Sequence, residues 1–364
     1  MRRTVSTILV SALVTLGACG GETDEATAAK IPDDFFGVVS VDPPSGADFA
    51  RMGRGNVGSY HLLLLWTRVE SREGTYNWSA YDSIAGHLAT EGIKPVPYLF
   101  GTPEHLTRTA QTPPTAVDGG LAGWKRFLKA AAERYGPGGD FWDDFAETHP
   151  NVEPQPFEVW EIWNEQNGPA FWPPKPDPDA YAKLLKVSSA TLKKVDPNAE
   201  VIVAGMFATP SSNLAINAFD FLKQLYEVGG VREAIDIVGI HPYAANLSGV
   251  RRQIERTRKV MDDAGDTDAD TWVTEIGWGS NPEVDSELAK TRTIQARRLT
   301  GAYQMMLRDR QRWNLRGALW YSFRDPDPSN DRLCGWCPSA GLLDRDLDAK
   351  PAWLAFTDLT GGLP

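Results

Sequence analysis

The chain has 364 residues, with 48 acidic against 37 basic side chains and a formal net charge of −11. That balance argues against nucleic acid or an anionic membrane surface as a partner. Residues 33–364 carry no low-complexity tract or long charge run, so they read as one large domain.

The first residues stand apart from it. Arg2-Arg3 precede an apolar stretch from Val5 to Leu16, and Leu16-Gly17-Ala18-Cys19 follows. This is too short for a spanning helix and reads as a signal peptide over 1–18. Its end resembles a bacterial lipobox, which implies a lipidated Cys19 as the mature first residue. An ordinary secretory peptide cleaved near Ala18 is the alternative. Either way the protein is expected outside the cytoplasm, at the bacterial cell surface or in the periplasm. The small, polar and acidic residues of 19–32 suit a flexible tether.

From there, short apolar runs alternate with amphipathic segments. Strands are expected at 35–40, 60–66, 94–100, 157–163, 201–206, 235–240, 271–276 and 317–323, mostly continuous apolar runs as in parallel strands covered on both faces. Helical spacing recurs between them, as in Tyr81, Ile84, Ala85 and Leu88. Ser79 is the expected N-cap of that helix, and Asp177, followed by Pro178, that of a later one. The alternation fits either a closed barrel or an open doubly wound sheet. No Gly-x-Gly-x-x-Gly follows the first strand. Thr102, Asn164, Glu165, His241, Glu275 and Arg324 all fall at or just beyond strand ends, the rim where barrel enzymes hold their active sites. A single (β/α)8 barrel over 33–364 is therefore the expected fold.

Two of those runs carry chemistry. Trp160-Glu161-Ile162-Trp163-Asn164-Glu165 and Trp272-Val273-Thr274-Glu275-Ile276-Gly277-Trp278 each end on a carboxylate among tryptophans. Cleaving a glycosidic bond needs two such groups facing one another across a sugar. Glu161, deeper in its strand than Glu165, reads as structural and paired with a buried polar partner. Cys334-Gly335-Trp336-Cys337 reads as a small disulfide shaping the loop around Trp336. The histidines lack ligand spacing, so neither metal nor cofactor is expected.

With Trp163-Asn164-Glu165 on a fourth strand and Thr274-Glu275-Ile276-Gly277 on a seventh, the chain resembles the clan of retaining (β/α)8-barrel glycoside hydrolases. That clan includes the family 5 cellulases and mannanases and the family 39 xylosidases. The resemblance implies Glu165 as acid/base, Glu275 as nucleophile and Asn164 as a partner of the sugar 2-hydroxyl. It implies that His241 and Tyr243 support the nucleophile; a histidine satisfied by backbone in a turn is the other reading of His241. It implies Trp320 as the floor of the subsite holding the cleaved sugar, a core tryptophan being the other reading, with Trp278, Trp66 and Trp172 as weaker candidates for outlying subsites. The expected substrate is an oligo- or polysaccharide, mostly β-linked. One departure is His61, where relatives commonly carry an arginine. The rival reading is a noncatalytic carbohydrate-binding barrel or a solute-binding lipoprotein, which has no need of paired glutamates.

Overall fold

A computed structural model describes residues 30–208, 212–329 and 334–364; the expected signal peptide and Cys19 lie outside the described residues. Eight strands form one closed, all-parallel barrel in chain order. They are β1 Phe36–Val39, β2 Ser59–Leu65, β3 Lys94–Phe100, β4 Val159–Ile162, β5 Glu200–Phe207, β6 Ile237–His241, β7 Asp270–Ile276 and β8 Leu315–Tyr321. The closing pair, β8 with β1, aligns Leu319 with Gly37. This is the (β/α)8 barrel that the alternation implies.

The helices are α1 Gly46–Arg54, α2 Trp66–Val69, α3 Ser79–Glu91, α4 Gly120–Tyr135, α5 Asp140–Thr148, α6 Pro178–Val195, α7 Ala218–Tyr226, α8 Leu247–Asp263, α9 Arg292–Asp309 and α10 Pro351–Thr360. The long excursion between the third and fourth strands holds both α4 and α5. Asp177 caps α6, accepting from the Ala180 N–H at 3.0 Å, with Pro178 at the first turn. Ser79 is not a cap. It is the first residue of α3, and Asn77 Oδ1 accepts from its N–H at 3.1 Å, so the turn chemistry sits two residues earlier than expected.

Strand ends differ from the apolar runs for identifiable reasons. β4 stops at Ile162 because Trp163 takes a left-handed backbone, φ 79°. β8 starts earlier than the run at 317, because Leu315 already pairs with Thr271 while the polar Arg316 masks the pattern. Along each strand the side chains alternate between the barrel interior and the helix layer. Val39, Val96, Val159, Ile202, Ile237, Trp272 and Leu319, from seven strands, fill the interior as one apolar cluster. The second layer, between strands and helices, holds most of the large aromatic rings.

Replacing Asp177 by Ala should lower the unfolding free energy by about 1 kcal/mol, the usual worth of such a cap. Urea denaturation of the two proteins measures it, and an unchanged midpoint would remove the cap from the account of α6.

Candidate active site

The carboxyl ends of the strands surround a cavity of about 640 Å³, a size common for small-ligand sites. Glu165 and Glu275 both line it, as does Asn164. Glu165 is aimed by the turn that ends β4. Trp163 and Glu165 (φ 40°) both occupy left-handed backbone, a conformation uncommon for residues with a Cβ and, for a residue as bulky as tryptophan, a sign of backbone strain. Two hydrogen bonds hold the turn, from the Trp163 N–H to the Leu99 carbonyl at 2.9 Å and from the Glu165 N–H to the Gly205 carbonyl at 3.2 Å. Glu275 lies near the end of β7, where pairing with β8 shifts between Val273 and Ile276.

A carboxylate oxygen of Glu165, one of Glu275 and a ring nitrogen of His241 all lie within 4.8 Å of one another. His241 Nδ1 is 2.9 Å from Glu165 Oε1 and 3.6 Å from Glu275 Oε2. The imidazole thus sits between the two carboxylates and is fully buried. Tyr243 donates its hydroxyl to Glu275 Oε2 at 2.7 Å. Burial pulls the proton affinity of His241 down, but the charges of Glu275 and Glu165 outweigh it and raise its pKa to about 9. Burial also raises the pKa of Glu275, and the Glu165 charge adds to that, while His241, His61 and the Tyr243 hydroxyl work the other way. Gly205 makes the close approach possible, since a Cβ there would meet His241 Nε2 at 2.1 Å.

Glu161 lies below this pair with no solvent exposure. Its carboxylate pairs with His61 Nε2 at 2.7 Å, accepts from the Gly205 N–H at 2.7 Å and meets Thr274 Oγ1 at 3.4 Å. Those partners come from β2, β5 and β7, so Glu161 is a bridge inside the barrel. His61, read from the sequence as a departure from the clan, is one of its supports and packs against Tyr98 with ring centroids 4.3 Å apart.

Several expected ligand contacts are absent. Trp320 does not floor the cavity. It is fully buried in the strand–helix layer and donates its indole N–H to the Ala340 carbonyl at 3.1 Å. The reason is strand alternation: Leu319 faces the barrel interior, so Trp320 must face out and Tyr321 in. Trp278 is likewise fully buried, donating to the Ala244 carbonyl at 2.8 Å. Trp66 and Trp172 are also buried in that layer. Thr102 and Arg324 stabilise loops, Thr102 through the Thr112 carbonyl and Arg324 through Asp48 and the Pro43 carbonyl.

In their place, Tyr321, Phe207, Tyr98 and Trp336 line the cavity. Tyr321 and Phe207 could have been found from strand parity; Trp336 had no signal beyond its place between two cysteines. Cys334 and Cys337 are joined as a disulfide. Glu165, His241 and Glu275 also form the group of acidic and imidazole side chains that could hold an ion among the described residues. A ligating imidazole must be neutral, and a cation here would have to displace the proton that the two carboxylates hold on His241.

No family model matches the chain. It is 29% identical over 111 residues to an intracellular exo-α-(1→5)-L-arabinofuranosidase of Bacillus subtilis strain 168, a stretch covering 30% of this chain and 21% of that enzyme. Solved structures match over most of the barrel. A family 39 glycoside hydrolase from Bacteroides cellulosilyticus WH2 superposes with TM-score 0.62 at 23% identity, covering 91% of this chain and 65% of that one. A monomeric β-xylosidase from Caulobacter crescentus CB15 gives 0.63 at 19%, covering 91% and 69%. Xylanase 10B of Thermotoga maritima gives 0.58 at 14%, covering 90% and 95%. The chain thus spans about a fifth of the curated relative and about two thirds of the family 39 structure, and what it shares with the solved structures is the fold.

The histidine between the carboxylates has a stability consequence. With its pKa raised from 6.5 to about 9 on folding, its contribution is complete below pH 6.5 and disappears as pH rises through 9. Unfolding free energies measured from pH 6 to 10 should therefore fall more in the parent than in His241→Gln, and the His241 ring protons should titrate near pH 9. A ring titration at the ordinary value would reject the charged imidazole.

Proposed function

We propose that the chain is a retaining glycoside hydrolase with Glu275 as nucleophile and Glu165 as acid/base. The observation that carries it is the pair of carboxylates held within 4.8 Å across one cavity at the ends of β4 and β7. Retention goes with carboxyl groups about 5–5.5 Å apart, whereas inversion needs room for a water and about 6.5–9.5 Å. In the first step a Glu275 oxygen bonds to the anomeric carbon. The glycosidic C–O bond breaks, and the proton on Glu165 passes to the leaving oxygen. In the second step Glu165 takes a proton from water, whose oxygen displaces Glu275.

Neighbouring side chains support those roles. Tyr243 donates to Glu275 and favours its ionised form, as does the His241 cation beside it. Asn164 Oδ1 is buried, lines the cavity and has no partner among the described residues, so it suits a sugar hydroxyl. The substrate class is an O-glycoside. The xylosidase, xylanase and arabinofuranosidase likenesses make β-D-xylosides and α-L-arabinofuranosides the first candidates. A noncatalytic binding barrel would have no use for this charged pair.

The decisive comparison is release of 4-nitrophenol from β-D-xyloside, β-D-glucoside, β-D-mannoside and α-L-arabinofuranoside, and of reducing sugar from β-glucan, mannan, xylan and bacterial exopolysaccharides. Glu275→Gln should lose at least about 10³-fold in kcat, roughly 4 kcal/mol of transition-state stabilisation. Glu165→Ala should recover turnover of aryl glycosides when azide is added and yield a glycosyl azide of retained configuration. Equal background rates for parent and Glu275→Gln on every substrate would sink the reading.

Export and lipidation at Cys19 belong to the same proposal and rest on the sequence of 1–19. Cys19→Ser should move the protein from the membrane fraction to the soluble one, and unchanged fractionation would argue for the ordinary secretory peptide.

A further inference from the structure

The Cys334–Cys337 loop has a construction that the catalytic reading leaves unexplained. Its second half is well tied down. The Ser280 N–H and hydroxyl both donate to the Ser339 carbonyl, at 2.8 and 2.9 Å. The buried Lys350 ammonium donates to the same carbonyl at 3.1 Å and to Asp325 at 2.6 Å. Gln295 reaches the Ala340 carbonyl at 3.2 Å. Cys334 and Gly335 have no comparable ties among the described residues. Cys334 is held by its bond to Cys337 and by the Cys337 N–H directed at its sulfur. Among the described residues the disulfide is the tie on the segment that leads into Trp336, whose own carbonyl accepts from the Ser339 N–H at 3.1 Å and hydroxyl at 3.0 Å.

Trp336 stands at a telling place. Its ring lines the cavity. It meets Tyr243 with centroids 5.2 Å apart at 62° and Tyr321 at 6.1 Å and 66°. Such edge-to-face contacts are favourable for aromatic pairs. Tyr243 is the residue whose hydroxyl donates to Glu275. Trp336, Tyr243, Cys337 and Ala340 form a small apolar cluster of their own, separate from the main core. The chain of contact runs from disulfide to indole to phenol to carboxylate.

We propose that Trp336, clamped by the Cys334–Cys337 disulfide, is both an aromatic wall for the sugar and a positioning residue that keeps Tyr243 on Glu275. This rests on the glycosidase reading of the same site. Formation of the clamp removes two protons and two electrons from the cysteine thiols, and dithiothreitol returns them by exchange. The loop that shapes the cavity is thus sensitive to thiols.

The test uses the whole chain, oxidised and after dithiothreitol treatment, with thiol titration to confirm reduction and far-ultraviolet circular dichroism to confirm the fold. The aryl glycoside turned over fastest serves as substrate. Reduction, Cys334→Ser/Cys337→Ser and Trp336→Ala should each raise KM about tenfold, the size of one lost aromatic contact. Each should also move the acidic limb of kcat/KM upward, because Glu275 without its Tyr243 donor holds its proton more tightly. Trp336→Phe should restore most of both. The near-ultraviolet dichroism should change on reduction in any case, because the ring cluster loosens. That signal tests the clamp even if parent and Glu275→Gln prove equally inactive, which would count against the glycosidase reading alone. An unchanged near-ultraviolet spectrum overturns the clamp. Altered dichroism with KM and pH profile unmoved overturns the assignment of Trp336 to the site.

Discussion

Three carboxylates, Glu161, Glu165 and Glu275, share the upper half of one barrel, and their mutual repulsion dictates what must surround them. A buried charge is tolerated only when paired and hydrogen-bonded. Glu161 meets this through His61, the Gly205 N–H and Thr274. Glu165 and Glu275 meet it through the shared His241 and the Tyr243 hydroxyl. None of these partners lies on the same strand as the carboxylate it serves. A closed barrel is what lets residues so far apart in sequence converge.

The same arrangement divides structural from chemical work. Glu161 spends its oxygens on the barrel interior and has no solvent exposure. Glu165 and Glu275 keep side-chain exposures of 20% and 12% and face the cavity. Position along β4 makes the difference: Glu161 lies within the paired strand, Glu165 on the left-handed turn beyond it. A histidine at 61 also suits this layer sterically. It packs its ring beside Tyr98 while reaching Glu161.

Much of this was legible in the sequence because it rests on local patterns. Apolar runs of strand length, separated by helical spacing, gave all eight strands, and the order of Trp163-Asn164-Glu165 and Thr274-Glu275 gave the two carboxylates at the mouth. The structural role of Glu161 followed from its depth in the run. Parity was harder. A continuous apolar run does not say which residues face the barrel interior, so Trp320 was read as facing the cavity when its neighbour Tyr321 does. The place of His241 between both glutamates was also beyond reach, because it depends on distances across strands. Ser79 failed as a cap for a smaller reason: it is already the first helical residue, and its own N–H and hydroxyl both donate to Asn77 Oδ1 in the turn before the helix.

The abundance of tryptophan has a different cause from the one its chemistry suggests. Of the thirteen, Trp336 alone lines the cavity. Three others at strand ends act on the rim from behind. Trp163 donates its indole N–H to the Phe171 carbonyl at 2.7 Å, Trp278 to Ala244 at 2.8 Å and Trp320 to Ala340 at 3.1 Å. Each acceptor belongs to a loop that follows β4, β6 or β8, the loops that carry or abut Glu165, Tyr243 and Trp336. A large apolar body packs into the strand–helix layer while its one polar atom pins the loop above, a pairing that tryptophan supplies and phenylalanine does not. Indoles placed this way hold the backbone of the rim, so that the short side chains of Glu165 and Glu275 can be set a few ångströms apart without flexible loops between them.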